Sequence, residues 1–254
     1  MTYPELKNKA ALVTGASSGI GAATAILLAA SGAKVVVNYF HNEKGARETA
    51  AAIQAAGGES IVLRADVRKS AECLSLIDAS VLQFGPLDIL INNAGSLVER
   101  LRILELNEER WDEVLDLNLK SAYVCSRAVA KSMIERKSGV IINVSSIAGR
   151  NGGGPGSIHY ATAKAGLLAF SKAIARELAP HGIRVNCVSP GVIATPFHER
   201  FSTAEGMRNY IASIPMGRAG TAEEVAKVIV FLCSDEASYL CGETIEINGG
   251  LLML

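Results

Sequence analysis

The sequence predicts an α/β protein in which helices cover both faces of a parallel sheet. Two observations lead to this prediction. Short runs rich in Val, Ile and Leu recur along the chain, and such near-continuous apolar runs are typical of strands that are buried on both faces. Helical patterns separate most of these runs, so strand and helix alternate, as they do around a parallel sheet.

The predicted elements follow one another without a linker, an internal repeat or a low-complexity tract. The first strand begins at Ala10, and the helix after it runs through Leu28. Further strands are predicted at residues 34–38, 60–66, 88–92, 139–145, 183–189 and 243–248, and further helices at residues 43–56, 70–84, 107–133, 157–179 and 221–233. We therefore expect one domain over residues 1–254.

Charge and composition exclude several classes of partner. Lys and Arg number 25, Asp and Glu number 25, and no block of like charge occurs, which argues against nucleic acid or an acidic membrane surface as the main partner. The N-terminus shows no signal peptide, and no apolar run approaches the roughly 18 residues of a spanning helix. The five scattered cysteines form no C-x-x-C or Cys/His cluster, so we expect no metal site and a cytoplasmic protein.

A glycine-rich turn follows the first strand and opens the first helix. Its sequence is Gly15-Ala-Ser-Ser-Gly19-Ile-Gly21, with the spacing G-x-x-x-G-x-G rather than the commoner G-x-G-x-x-G. Glycines let the backbone approach a pyrophosphate closely, and a helix N-terminus offers free N–H groups to an anion. The position of the turn favours a dinucleotide site, and a tight turn without a ligand is the alternative.

The end of the second strand bears on the choice of cofactor. A carboxylate there would accept hydrogen bonds from a ribose 2′-hydroxyl and repel a 2′-phosphate. The sequence has Asn38-Tyr39-Phe40-His41-Asn42 instead, with Lys44 just beyond. The missing carboxylate favours NADP(H), although no arginine takes its place. The alternative is that these polar loop residues make no cofactor contact.

Polar and small residues follow three further strands at their carboxyl ends, where open α/β sheets bind ligands. Asp66 follows the third strand and Asn92-Asn93-Ala94-Gly95 the fourth, while Ser145 and Ser146 end the fifth. Ala94 and Gly95 would let a cofactor pass close to the backbone. The alternative for Asn92 and Asn93 is that their side chains tie neighbouring strands together.

Tyr160 and Lys164 are four positions apart within a predicted helix. Positions i and i+4 share one face of a helix, so an ammonium can act on a phenol. A nearby cation stabilises the phenolate and lowers the pKa of a tyrosine. Such a pair also occurs by chance on solvated helix faces, and only its surroundings decide between the two interpretations.

A long connection after the sixth strand, at about residues 195–217, is predicted to be a substrate lid. Long connections inside a compact domain are uncommon unless they cover an active site. Phe197, Phe201, Met207 and Tyr210 are expected to fill the pocket, and His198 is interpreted as a surface histidine rather than a general base.

Together these motifs resemble the short-chain dehydrogenase/reductase family. The resemblance extends from about Leu6 to the C-terminus and lies in Thr14-Gly15-x-x-x-Gly19-x-Gly21, Asn92-Asn93-Ala94-Gly95, Asn118 in Leu-Asn-Leu-Lys, Ser146, Tyr160-x-x-x-Lys164 and Pro190-Gly191. It implies a Rossmann fold with a doubly wound sheet of seven parallel strands, usually assembled as a homotetramer. It also implies metal-free hydride transfer between a nicotinamide cofactor and a carbonyl or secondary alcohol.

The family's catalytic set corresponds here to Asn118, Ser146, Tyr160 and Lys164. By this resemblance Tyr160 exchanges a proton with the substrate oxygen, and Ser146 positions that oxygen. Lys164 lowers the pKa of Tyr160 and holds the ribose hydroxyls, while Asn118 supports a proton relay through water. Ser145 is an alternative to Ser146, because the family's usual spacing between serine and tyrosine does not fit this sequence.

The resemblance also implies a set of cofactor contacts in the glycine-rich turn, at the strand ends and near the carboxamide. The predicted cofactor-binding residues are Gly15, Ser17, Ser18, Gly19, Ile20, Gly21, Asn38, Tyr39, His41, Asn42, Asp66, Val67, Asn93, Ala94, Gly95, Tyr160, Lys164, Pro190, Gly191, Ile193 and Thr195.

The substrate is the least determined feature. Within the family the chain is most similar to reductases of 3-oxoacyl thioesters on acyl-carrier protein, through Pro215-x-Gly-Arg218, Ser234-Asp235-Glu236-Ala237 and Asn248-Gly-Gly250. The alternatives are a sugar or polyol dehydrogenase and, more remotely, a non-catalytic cofactor-sensing protein. Arg136 and Lys137 are either a basic patch for an acidic carrier protein or a solvated helix end.

Overall fold

The chain forms a seven-stranded parallel sheet in the order β3-β2-β1-β4-β5-β6-β9. A computed structural model describes residues 3–254. The strands are β1 (Ala10–Val13), β2 (Lys34–Tyr39), β3 (Glu59–Arg64), β4 (Ile89–Asn92), β5 (Gly139–Val144), β6 (Ile183–Pro190), β7 (Ile193–Ala194), β8 (Gly220–Thr221) and β9 (Thr244–Ile247). β7 and β8 pair with each other in a short, separate parallel ladder.

Helices connect the strands. They are α1 (Gly19–Ala30), α2 (Glu43–Ala55), α3 (Ser70–Phe84), α4 (Glu108–Leu115), α5 (Ser121–Arg136), α6 (Ala148–Asn151), α7 (Ile158–Leu178), α8 (Pro196–Phe201), α9 (Ala204–Ser213) and α10 (Ala222–Cys233). A π-helical turn (Asp116–Lys120) joins α4 to α5, and 3₁₀ turns lie at Pro4–Leu6, Ala179–His181 and Asp235–Ala237. No helix in this described part of the chain is both long and apolar enough to cross a membrane.

Alternating side chains of the strands pack into two separate cores. Val13, Val35 and Val37 join the core that contains α1, α2 and α10. Leu12 and Val36 join the core on the opposite face, which contains α3, α5 and the C-terminal part of α7. Each central strand therefore buries both of its faces, which explains its continuous apolar sequence. The predicted single-domain Rossmann fold with helices on both faces is confirmed.

The strand order places the ligand cleft. From β1 the chain proceeds outward to β3, then crosses back so that β4 pairs with the other edge of β1. The loops after β1 and β4 consequently diverge at the carboxyl edge of the sheet, and open α/β sheets bind ligands at such a point.

One predicted helix differs from the structure. The helix predicted at residues 107–133 is divided into α4, the π-helical turn and α5. Residues 195–217, which were predicted to be a lid, contain α8 and α9. The boundaries of the other elements differ from the prediction by at most two residues, and α3 has the predicted bounds.

Candidate active site

A cleft of about 850 Å³ opens at the carboxyl ends of the central strands. Most of the predicted site residues line it: Ser146, Tyr160 and Lys164, together with Gly15, Ser17, Ser18, Gly19, Ile20, Gly21, Asn38, His41, Asn42, Asp66, Val67, Asn93, Ala94, Gly95, Pro190, Gly191, Ile193 and Thr195. Two predicted site residues, Tyr39 and Asn118, lie behind the cleft wall.

The turn after β1 has the close backbone approaches that a pyrophosphate site needs. Gly15 has a φ of +64°, and a Cβ there would lie 2.9 Å from the Cα of Ala94. A Cβ at Gly21 would lie 2.5 Å from Asn93 Nδ2. The first residues of α1 line the cleft, so the N–H groups of its first turn are available to an anion. These residues fit the diphosphate of a dinucleotide cofactor.

Asn38 ties the end of β2 to this turn. Its Oδ1 accepts a hydrogen bond from the Gly15 N–H at 3.1 Å, and its Nδ2 lies 3.3 Å from the carbonyl oxygens of Leu63 and Ala65. The carboxamide is therefore engaged with the backbone. The placement predicted for Tyr39 needs correction, because alternation along β2 directs its side chain into the core. Phe40 lines the cleft instead.

An arginine that was not among the predicted site residues also lines this end of the cleft. Arg68 binds Asp66 through Nε and Nη2, at 2.9 and 2.8 Å, and it binds Glu113 of α4 through Nη1 at 2.6 Å. Burial would raise the pKa of the Asp66 carboxyl, but the hydrogen bonds from Arg68 outweigh burial and the pKa is lowered. Asp66 is therefore a buried carboxylate that Arg68 holds in place.

Asn93 has a structural role, which was the alternative considered for it. Its Nδ2 donates to the carbonyl oxygens of Thr14 and Gly15, at 2.9 and 3.1 Å. The Thr14 hydroxyl accepts hydrogen bonds from the N–H groups of Asn93 and Ala94, both at 3.0 Å. These bonds fix the loop after β4 against the phosphate turn.

Asn92 begins a buried polar ladder beneath the site. Its Nδ2 donates to Asn143 Oδ1 at 2.8 Å, and Asn143 Nδ2 donates to Ser171 Oγ at 2.8 Å. Asn143 and Ser171 are almost inaccessible to solvent. A fully satisfied buried network of this kind specifies one arrangement of its elements, so the ladder fixes β4, β5 and α7 relative to one another.

The two serines after β5 have different surroundings. Ser145 is buried, and its hydroxyl donates to the Lys164 carbonyl oxygen at 2.8 Å. Ser146 lines the same cleft as Tyr160, and its Oγ accepts a hydrogen bond from the Ala148 N–H at 3.1 Å. The geometry favours Ser146 over Ser145 as the hydroxyl that can reach a substrate.

The side chains of Asn118 and Lys164 both lie close to the Cα of Gly95. A Cβ at this position would lie 2.7 Å from Asn118 Oδ1 and 3.0 Å from Lys164 Nζ. Asn118 is held in the π-helical turn, where its Nδ2 donates to the carbonyl oxygens of Ser96 and Val114, both at 2.8 Å. Asn118 therefore lies behind Gly95, next to the cleft wall. Its predicted role in a proton relay stays a prediction.

Burial dominates the protonation of the tyrosine and the lysine. Burial raises the pKa of Tyr160 to about 12, although the polar hydroxyl of Ser146 opposes this change. Burial lowers the pKa of Lys164 to about 8. Lys164 Nζ donates to the Val144 carbonyl oxygen at 2.8 Å and lies 5.7 Å from the centroid of the Tyr160 ring. In this structure the pKa of Tyr160 is therefore raised, whereas the resemblance implied a lowered one.

The α8–α9 segment places aromatic side chains over Tyr160. The ring centroid of Phe197 lies 5.6 Å from that of Tyr160, and Phe197 in turn packs against Phe201 at 5.0 Å. Burial and the charge of Arg100 both lower the pKa of His198, whose Nδ1 is 3.1 Å from Ser202 Oγ. Phe197 and Tyr210 line the cleft together with the polar side chains of His198, Arg200 and Ser213, whereas the predicted pocket residues Phe201 and Met207 do not.

Arg136 is not available as part of a basic docking patch. Its Nη1 binds Asp88 at 2.8 Å, and its Nη2 donates to the Leu87 carbonyl oxygen at 2.6 Å. The guanidinium therefore anchors the end of α5 to the start of β4.

The fold and the cleft fit an oxidoreductase that uses a nicotinamide cofactor and acts on CH–OH or C=O groups, and comparisons with known proteins identify this class. The family model described as enoyl-(acyl carrier protein) reductase matches residues 15–252. A 3-oxoacyl-[acyl-carrier-protein] reductase of Synechocystis sp. is 45% identical over 249 residues, which cover 98% of each chain. The 3-oxoacyl-[acyl-carrier-protein] reductase FabG of Escherichia coli is 41% identical over 248 residues, which cover 98% of this chain and 99% of the relative. The FabG of Staphylococcus epidermidis is 41% identical over 246 residues, which cover 97% of this chain and 100% of the relative.

These matches show that the chain belongs to the short-chain dehydrogenase/reductase family. The predicted resemblance is confirmed.

Proposed function

We propose that this protein is an NADPH-dependent reductase of 3-oxoacyl thioesters. The observation that carries the proposal is the grouping of Ser146, Tyr160 and Lys164 in one cleft, beside a turn that fits a dinucleotide diphosphate. Relatives named 3-oxoacyl-[acyl-carrier-protein] reductase, at 40% to 45% identity over nearly the whole chain, support the substrate class.

The site residues have the protonation states that carbonyl reduction needs. When bound, the nicotinamide cofactor supplies the hydride. With its pKa raised to about 12, Tyr160 is protonated at pH 7 and donates its proton to the substrate oxygen. With a pKa of about 8, Lys164 is mostly cationic at pH 7, and its charge stabilises the phenolate that proton donation leaves. Ser146 hydrogen-bonds to the substrate oxygen and orients it.

NADPH is the proposed cofactor because the wall at the end of β2 carries no free carboxylate. The residues that line it there are Asn38, Phe40, His41 and Asn42. The nearby carboxylate of Asp66 is bound by Arg68. A 2′-phosphate would therefore meet little repulsion at this end of the cleft. The ratio of kcat/KM with NADPH to kcat/KM with NADH measures the resulting cofactor preference.

Residues 195–217 are proposed to be the substrate lid. Phe197 and Tyr210 line the cleft and offer an aromatic surface to the chain of an acyl substrate, whereas a sugar would need polar side chains in those positions.

The test is a substrate panel with both cofactors. Acetoacetyl thioesters of pantetheine, coenzyme A and carrier protein should be reduced with NADPH, and Tyr160→Phe should lose nearly all turnover while still binding NADPH in a fluorescence titration. A crotonyl thioester belongs in the panel because the matching family model is described as an enoyl reductase. Turnover of crotonyl thioester alone, or of sugars and polyols alone, would contradict the proposal.

A homotetramer is the proposed assembly. Tyr123 on α5 is about half exposed although it packs edge-on against Phe170 of α7, and Met253 and Leu254 at the C-terminus are largely exposed. Exposed apolar groups of this kind are typical of subunit contacts. Light scattering at micromolar concentration should give four times the monomer mass, and a monomeric mass would contradict this assembly.

A further inference from the structure

Arg100 joins three segments that surround the substrate end of the cleft. It lies in the connection between β4 and α4 and lines the cleft. Its Nε donates to the carbonyl oxygen of Phe201, the last residue of α8, at 2.9 Å. Its Nη1 donates to the carbonyl oxygen of Pro155, in the loop before α7, at 2.9 Å. Neither the α6–α7 loop nor α8 is adjacent to Arg100 in sequence, so one side chain connects all three.

The backbone beside Arg100 reinforces one of these connections. The Leu101 N–H donates to the Gly156 carbonyl oxygen at 3.0 Å. Gly156 has a φ of +75°, and a Cβ there would lie 3.1 Å from the Cβ of Arg100. The loop before α7 is thus fixed against residues 100–101, and α7 carries Tyr160 one turn later. α8 is the segment whose attachment depends on the guanidinium.

No carboxylate competes for Arg100 within residues 3–254, since none of their ion pairs includes it. Arginine presents five N–H donors in a rigid fork, and two of them are directed here at carbonyl oxygens. Both hydrogen bonds are exposed to solvent, so they can exchange for water when α8 moves. This combination suits a contact that closes and reopens in each catalytic cycle.

We propose that Arg100 is a positioning residue that holds α8 closed over Tyr160. Phe197, at the other end of α8, then packs against the Tyr160 ring and forms the wall that contacts the apolar part of the substrate. The inference rests on the proposed function only for the nature of that substrate. The attachment of α8 by Arg100 does not depend on which substrate the protein binds.

The test compares three variants. Arg100→Met removes the donors and keeps an apolar stem of similar length, while Arg100→Lys keeps the charge but can reach only one carbonyl oxygen. Arg102→Met is the matched control, because it removes an exposed arginine from the same connection. Hydrogen exchange followed by mass spectrometry reports the opening of α8 and α9, and steady-state kinetics with NADPH and a 3-oxoacyl thioester reports KM and kcat separately.

Arg100→Met should exchange its α8 and α9 amides about 10-fold faster than the unmodified protein, because hydrogen bonds from a charged donor are lost. The amides of the central strands should stay unchanged. KM should rise about 10-fold while kcat stays within about twofold, Arg100→Lys should lie between, and Arg102→Met should match the unmodified protein.

Unchanged exchange in α8 and α9 of Arg100→Met would overturn the inference, as would a fall in kcat at constant KM. If Arg100→Met does not fold, the same comparison is made with Arg100→Lys, for which unchanged exchange has the same meaning. If the unmodified protein does not reduce 3-oxoacyl thioesters, the proposed function fails, and the exchange experiment still decides the role of Arg100.

Discussion

Replacing Lys164 by methionine should make the protein more stable near neutral pH, with a gain that fades as the pH rises. Lys164 is only 3% exposed, and burial lowers its pKa from 10.5 to about 8. Lys164 therefore binds its proton more tightly in the unfolded chain than in the folded chain. The charged lysine destabilises the fold fully below pH 8, and the cost disappears as the pH rises towards 10.5.

The size of the effect follows from the two pKa values. The cost is about 3 kcal/mol at pH 7 and about 2 kcal/mol at pH 9. Methionine also leaves the Val144 carbonyl oxygen without its hydrogen bond, which costs about 1–3 kcal/mol at either pH. The net gain at pH 7 is therefore small, but the stability of Lys164→Met relative to the unmodified protein should fall by about 1 kcal/mol from pH 7 to pH 9.

Urea unfolding at fixed protein concentration, at pH 7, 8 and 9, measures this difference. Lys172→Met is the control, because Lys172 is an exposed lysine two turns further along α7 and its replacement should give a difference that does not vary with pH. A Lys164→Met difference that stays constant over this range, or grows with pH, would show that the ammonium is not held in an apolar environment.

Three further changes probe the site. Gly95→Ala should reduce kcat/KM about 10-fold or more, because its methyl group would lie 2.7 Å from Asn118 Oδ1 and 3.0 Å from Lys164 Nζ and would displace both side chains. Initial rates measure the effect, and activity near normal would mean that the two side chains move freely. Arg68→Met should destabilise the fold by about 2–4 kcal/mol at pH 7 by leaving the buried Asp66 carboxylate unpaired. The loss of stability should be smaller at pH 4.5, because the unpaired Asp66 carboxyl of the variant takes up a proton. Urea unfolding at pH 7 and pH 4.5 measures both losses, and equal losses would refute the prediction. Asn143→Leu should cost about 1–3 kcal/mol, because Asn92 and Ser171 each lose one buried hydrogen bond and keep only those to Ser126 and Leu167. An unchanged urea midpoint would contradict the importance of the ladder.

The sheet and the phosphate turn could be predicted because local sequence determines them. β1 and β2 are apolar on both faces, and few structures besides a buried parallel strand produce this pattern. The turn needs glycine where φ is positive and where the backbone of a neighbouring loop is too close for a Cβ, as at Gly15. Requirements of this kind remain visible in the sequence without knowledge of any distant residue.

The π-helical turn could not be predicted, because its cause lies outside the helix. Residues 107–133 have a continuous helical pattern, and nothing in it indicates a change of hydrogen bonding at Asn118. The turn brings Asn118 towards the loop after β4, where its side chain binds the backbone of Ser96. π-helical turns often occur at functional positions, but only the tertiary contact shows where this one lies.

The ion pairs were missed for a similar reason. Arg68 meets Glu113 across 45 positions of sequence, and Arg136 meets Asp88 across 48. A sequence pattern shows that an arginine is present. It does not show which carboxylate forms an ion pair with that arginine in the folded chain. Arg136 therefore resembled a docking residue, and Arg68 did not resemble part of a cofactor site.

The short ladder between β7 and β8 makes the α8–α9 segment exchangeable. Ile193 pairs with Gly220 and Ala194 with Thr221, so the chain leaves the scaffold and returns to it at the same place. The cost of closing a loop grows only slowly with its length, and both ends of this one are already fixed. Segments of other lengths can therefore be grafted between Ala194 and Gly220 without altering the register of the main sheet. If residues 195–217 form the substrate lid proposed above, replacing this segment should change the substrates that the enzyme accepts, provided that the contact of Phe197 with Tyr160 is kept.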